Sequence, residues 1–349
     1  RLSRSVLSEY SSALLRATDP CGAAELREEI VRYLHDFRGI NVSPDNILIG
    51  AGSEYLMHLV IQLLGRDRVY ALENPGYRKL YQIFAVNGVT VRPTPLDKHG
   101  LRADALAASD ASVVYLTPSH HFPLGTVMTA ARRLEILRWA SEAPDRYIIE
   151  DDYDSEFRYK GKPIPALQSL DKAGKVIYIE TFSKAISPAI RTGYMVLPMA
   201  LLPRFERLID NYSCPVSRIE QAILTDFIKQ GYFEKHLNRM RKIYKGKHDC
   251  MMEQLQKYFP EKILEISGDN AGLYVLIRYL GPQTEEEILR RAQTLGMPLK
   301  SLKGYYQNLP FHYLPTFLLG FANLSEETIP DAIRSLSEKV FASPKPYLL

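Results

Sequence analysis

Cysteine is scarce in this chain. Cys21, Cys214 and Cys250 are the only three in 349 residues, an odd number without metal-type spacing, which excludes a disulfide framework and leads us to expect reduced thiols in a cytoplasmic protein. Long apolar runs are missing as well. None approaches the roughly 18–20 residues of a membrane helix, and RLSRSVLSEY at the N-terminus has no apolar signal core, so neither membrane insertion nor export is expected. Charge of one sign is also lacking: the net +4 is too small to argue for nucleic acid. The densest basic stretch, Arg239 to His248, falls within a helical pattern and reads as a solvated helix face. There is no internal repeat or low-complexity tract. The first residue is Arg1 rather than methionine, from which a processed chain or a fragment is expected, with something N-terminal missing.

What is present has a clear order. Between about residues 45 and 200, short runs rich in Val, Ile and Tyr alternate with helical patterns. The runs are NILIGAG (46–52), RVYALEN (68–74), SVVYLTP (112–118), YIIEDD (147–152), KVIYIETF (175–182) and GYMVLP (193–198). Such alternation predicts a largely parallel sheet covered on both faces. After Pro203 helical patterns dominate, at 203–212, 217–258, 284–295 and 326–341, with strand-like 271–280 and 317–324. The expectation is an α/β chain with a large domain at 41–205 and a smaller α+β domain formed by 1–40 with 206–349.

In parallel α/β sheets, ligands collect where strands end and lead into helices, and four such ends carry unusual residues. GAGSEY (50–55) brings backbone N–H groups to a helix start, which suits a phosphate, although an ordinary glycine turn reads equally well. Tyr55 stands where a dinucleotide fingerprint needs a small residue. ENPGY (73–77) puts Tyr77 where it could stack on a flat ring, though taken alone one tyrosine among 22 is more readily part of a core or surface. YIIEDDYDSEF (147–157) ends a strand in three consecutive acids, which suit a divalent metal, a protonated ring nitrogen or a surface turn. TFSKAISPAIRTGY (181–194) surrounds Lys184 with Thr181 and Ser183 and follows it with Arg191, able to clamp a phosphate. A lysine desolvated beside positive charge becomes a Schiff-base nucleophile.

Together the four select pyridoxal 5'-phosphate, which requires a lysine, an acid that keeps the pyridine nitrogen protonated, a phosphate cradle and a stacking aromatic. A metal at Asp151 would leave Lys184, Tyr77 and Arg191 unexplained, so no metal is expected.

These stretches, with GAAELREEIVRYLHDFRGI (22–40), TPSHHFPLGTVM (117–128) and EDDYDSEFRYKGKPIPALQSLD (150–171), carry a resemblance over essentially the whole chain. The chain resembles fold-type I pyridoxal-phosphate aminotransferases, and more narrowly the aminotransferase-like effector domain of MocR-type regulators in the GntR superfamily. The resemblance implies that Lys184 forms the internal aldimine, Asp151 pairs with the pyridinium nitrogen and Tyr153 bonds the ring's phenolic oxygen. It implies that Gly52, Ser53, Glu54 (by backbone), Thr181, Ser183 and Arg191 surround the phosphate, that Tyr77 lies on the ring, and that the site sits at a homodimer interface.

Three departures stand out. The family's Asn-Pro-Thr-Gly reads Phe122-Pro123-Leu124-Gly125, so the asparagine bond to the ring oxygen is absent; His120 or His121 near the ring is one expectation, uninvolved loop histidines the other. The family's carboxylate-clamping arginine is replaced by Leu318, which leaves Lys79, Lys303 or backbone for that role. No tyrosine precedes Gly22 in LLRATDPCG. The resulting expectation is an effector-sensing, dimerising domain that binds an amino acid or amine as an external aldimine, with DNA bound only by an N-terminal winged helix outside this chain. A stand-alone aminotransferase is the alternative. Nothing in the sequence selects the effector.

Overall fold

The computed structural model describes residues 2–9, 14, 19–159 and 165–341. Part of LLRATDPCG and residues 160–164 of the acid-rich stretch lie outside these described residues. Twelve strands are found among them: β1 (Ile47–Gly50), β2 (Val69–Asn74), β3 (Thr90–Asp97), β4 (Gly100–Leu101), β5 (Val113–Leu116), β6 (Tyr147–Asp151), β7 (Val176–Thr181), β8 (Gly193–Val196), β9 (Leu264–Ser267), β10 (Tyr274–Tyr279), β11 (Lys300–Ser301) and β12 (Thr316–Gly320). The first eight form one sheet in the order β1-β8-β7-β6-β5-β2-β3-β4. Its centre is parallel, from β3 through β2, β5 and β6 to β7, and its flanks are antiparallel. β5 is buried at every position, as a strand covered on both faces must be, and its apolar run VVYL follows from that.

One face of the sheet packs on the helices Ser53–Leu64 and Arg78–Val86 through Leu56, Val60, Phe84, Ile149 and Ile179. The other face is covered by Ala130–Ser141 and by Ala24–Arg38 with Arg218–Lys229. Residues 24–38, grouped by sequence with the smaller domain, thus lie against the large sheet: Leu26, Ile30 and Leu34 meet Ile47, Tyr178 and Tyr194. A second, antiparallel sheet, β11-β12-β10-β9, packs on the later part of the helix Tyr232–Tyr258 and on Glu285–Thr294 and Ile329–Ser335.

Other features also differ from the sequence reading, among them the short strands β4, β9 and β11. The pattern over 217–258 is two helices, Arg218–Lys229 and Tyr232–Tyr258, parted at Gly231. β3 was not foreseen, because TVRPTPLD holds two prolines and alternates in exposure. Both are tolerated since β3 lies near the sheet edge, flanked on its outer side only by the two residues of β4. No described helix is long and apolar enough to cross a membrane.

Candidate functional site

The carboxyl ends of β1, β2, β5, β6 and β7 gather the residues singled out from the sequence. After β1 the chain turns at Gly52 into the helix Ser53–Leu64. Gly52 has φ 88°, and a Cβ there would lie 3.0 Å from Nη2 of Arg191. Backbone N–H groups of a helix start and a guanidinium therefore converge on a space that any side chain at 52 would crowd, the geometry of an anion cradle. Glu54, in the first turn, pairs with Lys79 and lies 3.5 Å from Arg191; the Lys79 hydrogen bond holds its carboxyl below the usual range.

Strand alternation sorts the acids after β6. Tyr115 on β5 and Ile149 on β6 share a register, which puts Asp151, two residues on, on the same face as Tyr115. Tyr115 donates its hydroxyl to Oδ2 of Asp151. Asp152 faces the other way, buried, pairing with Arg38 and accepting from Tyr178 at 2.8 Å. Asp154 is buried against Nδ1 of His120 at 2.8 Å. Asp151 alone of the three has neither an ion-pair partner nor an imidazole among the described residues. Burial pushes its pKa up to about 6, only partly offset by Tyr115. A buried carboxylate in that setting lacks a cation, and a protonated ring nitrogen supplies one. No group of three His, Cys, Asp or Glu side chains among the described residues is arranged to hold a metal ion.

Lys184 sits in the single turn Phe182–Ala185 that follows β7, and it is exposed. Thr181 ends β7 and leads into that turn, while Ser183 donates to the Ile190 carbonyl at 3.3 Å. Thr192, fully buried, has no partner for its hydroxyl among the described residues. Tyr77 opens the helix Arg78–Val86, is 43% exposed, and meets Phe122 edge-on at 5.8 Å. The backbone beside it is clipped by the smaller domain: Gly76 N–H donates to the Tyr305 carbonyl at 3.1 Å and Gln307 N–H to Asn74 at 2.9 Å. Tyr153 lies 3.1 Å from Nδ1 of His120.

The other candidates are placed as follows. His121 is buried and held neutral, its pKa pulled down to about 3 by burial and then by His120. Glu73, 3.6 Å from it and bonded by Thr117, is pushed up to about 8 by burial. Lys303 is exposed and pairs with Glu286 at 3.2 Å. Leu318 packs with Tyr274, Leu276 and Leu302, beside Phe122 and Tyr305. Two contributors escaped the sequence reading. Tyr115 was one more apolar residue of a strand, and Arg38 stands 114 positions from Asp152; only the parity of Tyr115 with a strand-end acid offered a signal.

A glycine cradle, a buried acid, a one-turn lysine and a half-exposed aromatic at the carboxyl ends of β1, β6, β7 and β2 fit pyridoxal phosphate, as in the fold-type I class of proteins that bind it. The profile of the aminotransferase class I and II family matches residues 8–336. The HTH-type transcriptional regulator YdeL of Bacillus subtilis is 38% identical over 330 residues, covering 95% of this chain and 70% of that protein. The probable rhizopine catabolism regulatory protein MocR of Rhizobium meliloti is 31% identical, covering 92% of this chain and 64% of that one. Among solved structures, the kynurenine aminotransferase of Pyrococcus horikoshii is similar with a TM-score of 0.85 at 27% identity, over 97% of this chain and 85% of its own. The chain belongs to the aminotransferase class I and II family, and within it to the aminotransferase-like domains of MocR-type HTH transcriptional regulators, whose cofactor is pyridoxal 5'-phosphate.

Proposed function

We propose that this chain is the effector-sensing and dimerising part of a MocR-type regulator, whose residues would hold pyridoxal phosphate and recognise a small amino acid or amine beside it. DNA contact then belongs to a helix-turn-helix domain outside these 349 residues. The observation that carries the reading is the setting of Leu318. The position that holds a carboxylate-clamping arginine in the enzymes this chain resembles lies here in an apolar cluster with Tyr274, Leu276 and Leu302. The two lysines considered as substitutes are already paired, Lys79 with Glu54 and Lys303 with Glu286. A site that captures an amine but grips its carboxylate weakly suits recognition better than rapid turnover, which needs the reacting atoms held in register.

The roles follow the chemistry of each side chain. When bound, the cofactor supplies an electrophilic carbon and an electron-withdrawing ring. Lys184 provides the amine that holds it and the base that moves a proton at the ligand's Cα. Asp151 keeps the ring nitrogen protonated, and Tyr153 donates to the phenolic oxygen. Arg191, Ser53, Thr181, Ser183 and the backbone at Gly52 and Glu54 hold the phosphate, and Tyr77 covers the ring.

The test is to supply cofactor-loaded protein with a panel of amino acids and amines and a 2-oxo acid acceptor. A change in cofactor absorbance without sustained 2-oxo acid consumption is expected, and Lys184→Ala should lose all borohydride-trapped cofactor. Covalent cofactor retained by that variant would refute the lysine assignment. Sustained consumption would favour a second reading, an aminotransferase, which the 97% overlap with the Pyrococcus horikoshii enzyme supports.

A further inference from the structure

We infer that His120, locked by Asp154, is a positioning residue for Tyr153, and that it replaces the hydrogen-bonding support lost where Phe122 stands in place of asparagine. The inference rests on the cofactor reading above and concerns how this chain sets the protonation of the cofactor's phenolic oxygen.

His120 and Asp154 are both buried, and His120 Nδ1 is 2.8 Å from Asp154 Oδ2. An ionised carboxylate can only accept, so Nδ1 carries the hydrogen. The same Nδ1 lies 3.1 Å from the Tyr153 oxygen. With that hydrogen directed at Asp154, the Tyr153 oxygen lies beside the N–H as a second, longer acceptor, and the Tyr153 hydrogen is left for another acceptor. Tyr274 is within hydrogen-bonding reach and, because its own hydroxyl points to the His121 carbonyl at 3.3 Å, its oxygen can accept that hydrogen. The phenolic oxygen of a bound cofactor would be the competing acceptor.

The packing keeps the ring in this pose. Gly272, at φ 78°, lies so close to His120 that a Cβ there would overlap the imidazole and approach Asp154 Oδ2 at 2.9 Å. Tyr153 stacks on the ring at 6.0 Å between centroids and Tyr274 tilts over it at 5.4 Å. Nε2 of His120 is buried without a partner among the described residues. Phe122, meanwhile, meets Tyr153 edge-on at 6.4 Å and has no donor to offer. Tyr153 is then the one side-chain donor assigned to the phenolic oxygen, and among the described residues of the loop after β5 the polar side chain beside its hydroxyl is His120. The ionisable groups facing His120 are Asp154 and Tyr153 after β6, Tyr274 on β10 and His121 beside it, with Lys184 acting on Asp154 through space.

A donor to a phenolate oxygen lowers its proton affinity, so loosening Tyr153 should raise the pH at which lysine-bound cofactor loses its proton. The experiment is a pH titration of the visible absorbance of cofactor-loaded wild type, His120→Phe and His120→Asn, with borohydride trapping measured in parallel. His120→Phe should trap cofactor as the wild type does, while its midpoint rises by about one pH unit, a tenfold change in proton affinity. His120→Asn retains an N–H near Nδ1 and should return the midpoint most of the way. An unchanged midpoint in His120→Phe with full trapping overturns the inference and leaves the cofactor reading intact. Absence of trapped cofactor in the wild type overturns both. If His120→Phe does not fold by circular dichroism, Asp154→Leu decides with the same readout: it is close in volume and removes the acceptor that fixes the tautomer, and an unchanged midpoint overturns the inference.

Discussion

Replacing Arg38 by methionine should expose how the acid-rich end of β6 is held. Arg38 pairs with Asp152 where their side chains are only 7% and 1% exposed, and it donates to Ser119 at 3.0 Å. Asp152 also acts on Glu150, Asp154, Glu156 and Glu180, and the rise in their pKa reflects burial first and this proximity second or later. Removing one partner of a buried pair costs about 3–5 kcal/mol because the other charge stays buried. The loss should be about 4 kcal/mol, including the hydrogen bond to Ser119, and urea unfolding reads it directly. Arg38→Met with Asp152→Asn should recover most of it, since the orphaned charge is gone. A loss below about 1 kcal/mol, or a double variant no more stable than Arg38→Met, would refute the buried-pair argument.

Glu73→Gln should change stability with pH. Glu73 is pushed from about 4.5 to about 8 by burial, so the wild type has its full contribution below pH 4.5 and loses it as pH rises through 8. The amide variant should match the wild type near pH 5 and exceed it by about 1–3 kcal/mol at pH 8.5 in thermal or urea unfolding; a constant difference would contradict the burial of an ionisable Glu73. Gly272→Ala should cost about 2 kcal/mol or more, from positive φ and overlap with His120, and should shift the cofactor's absorbance titration in the direction of His120→Phe. An unperturbed variant would show that the loop has room to move.

Legibility from sequence followed the range of the interactions. Lys184, Thr181, Ser183 and Arg191 lie within eleven residues, so their grouping was readable before any fold was known. The parallel centre of the large sheet was readable for a similar reason, because burial on both faces demands continuous apolar runs such as VVYL. β3 hid behind Pro93 and Pro95, residues that argue against a strand unless its place near the edge is already known.

The three acids show where local reading stops. Glu150, Asp151 and Asp152 read in the sequence as one run of acids, open to a metal, a ring nitrogen or a turn, until the other motifs and the resemblance pointed to Asp151. Pleat parity separates Asp151 from Asp152, but the partners come from afar: Tyr115 from β5, Arg38 from the helix Ala24–Arg38, and His120 from the loop after β5. Those partners decide which acid has a charge to spare. The residue types and their order along the chain determined the chemistry available to this protein. Which carboxylate stands without a cation, and which histidine supports Tyr153, were decided by side chains that only the packed sheet brings within a few ångströms, because electrostatic and hydrogen-bond energies depend on distance and burial rather than on position in the chain.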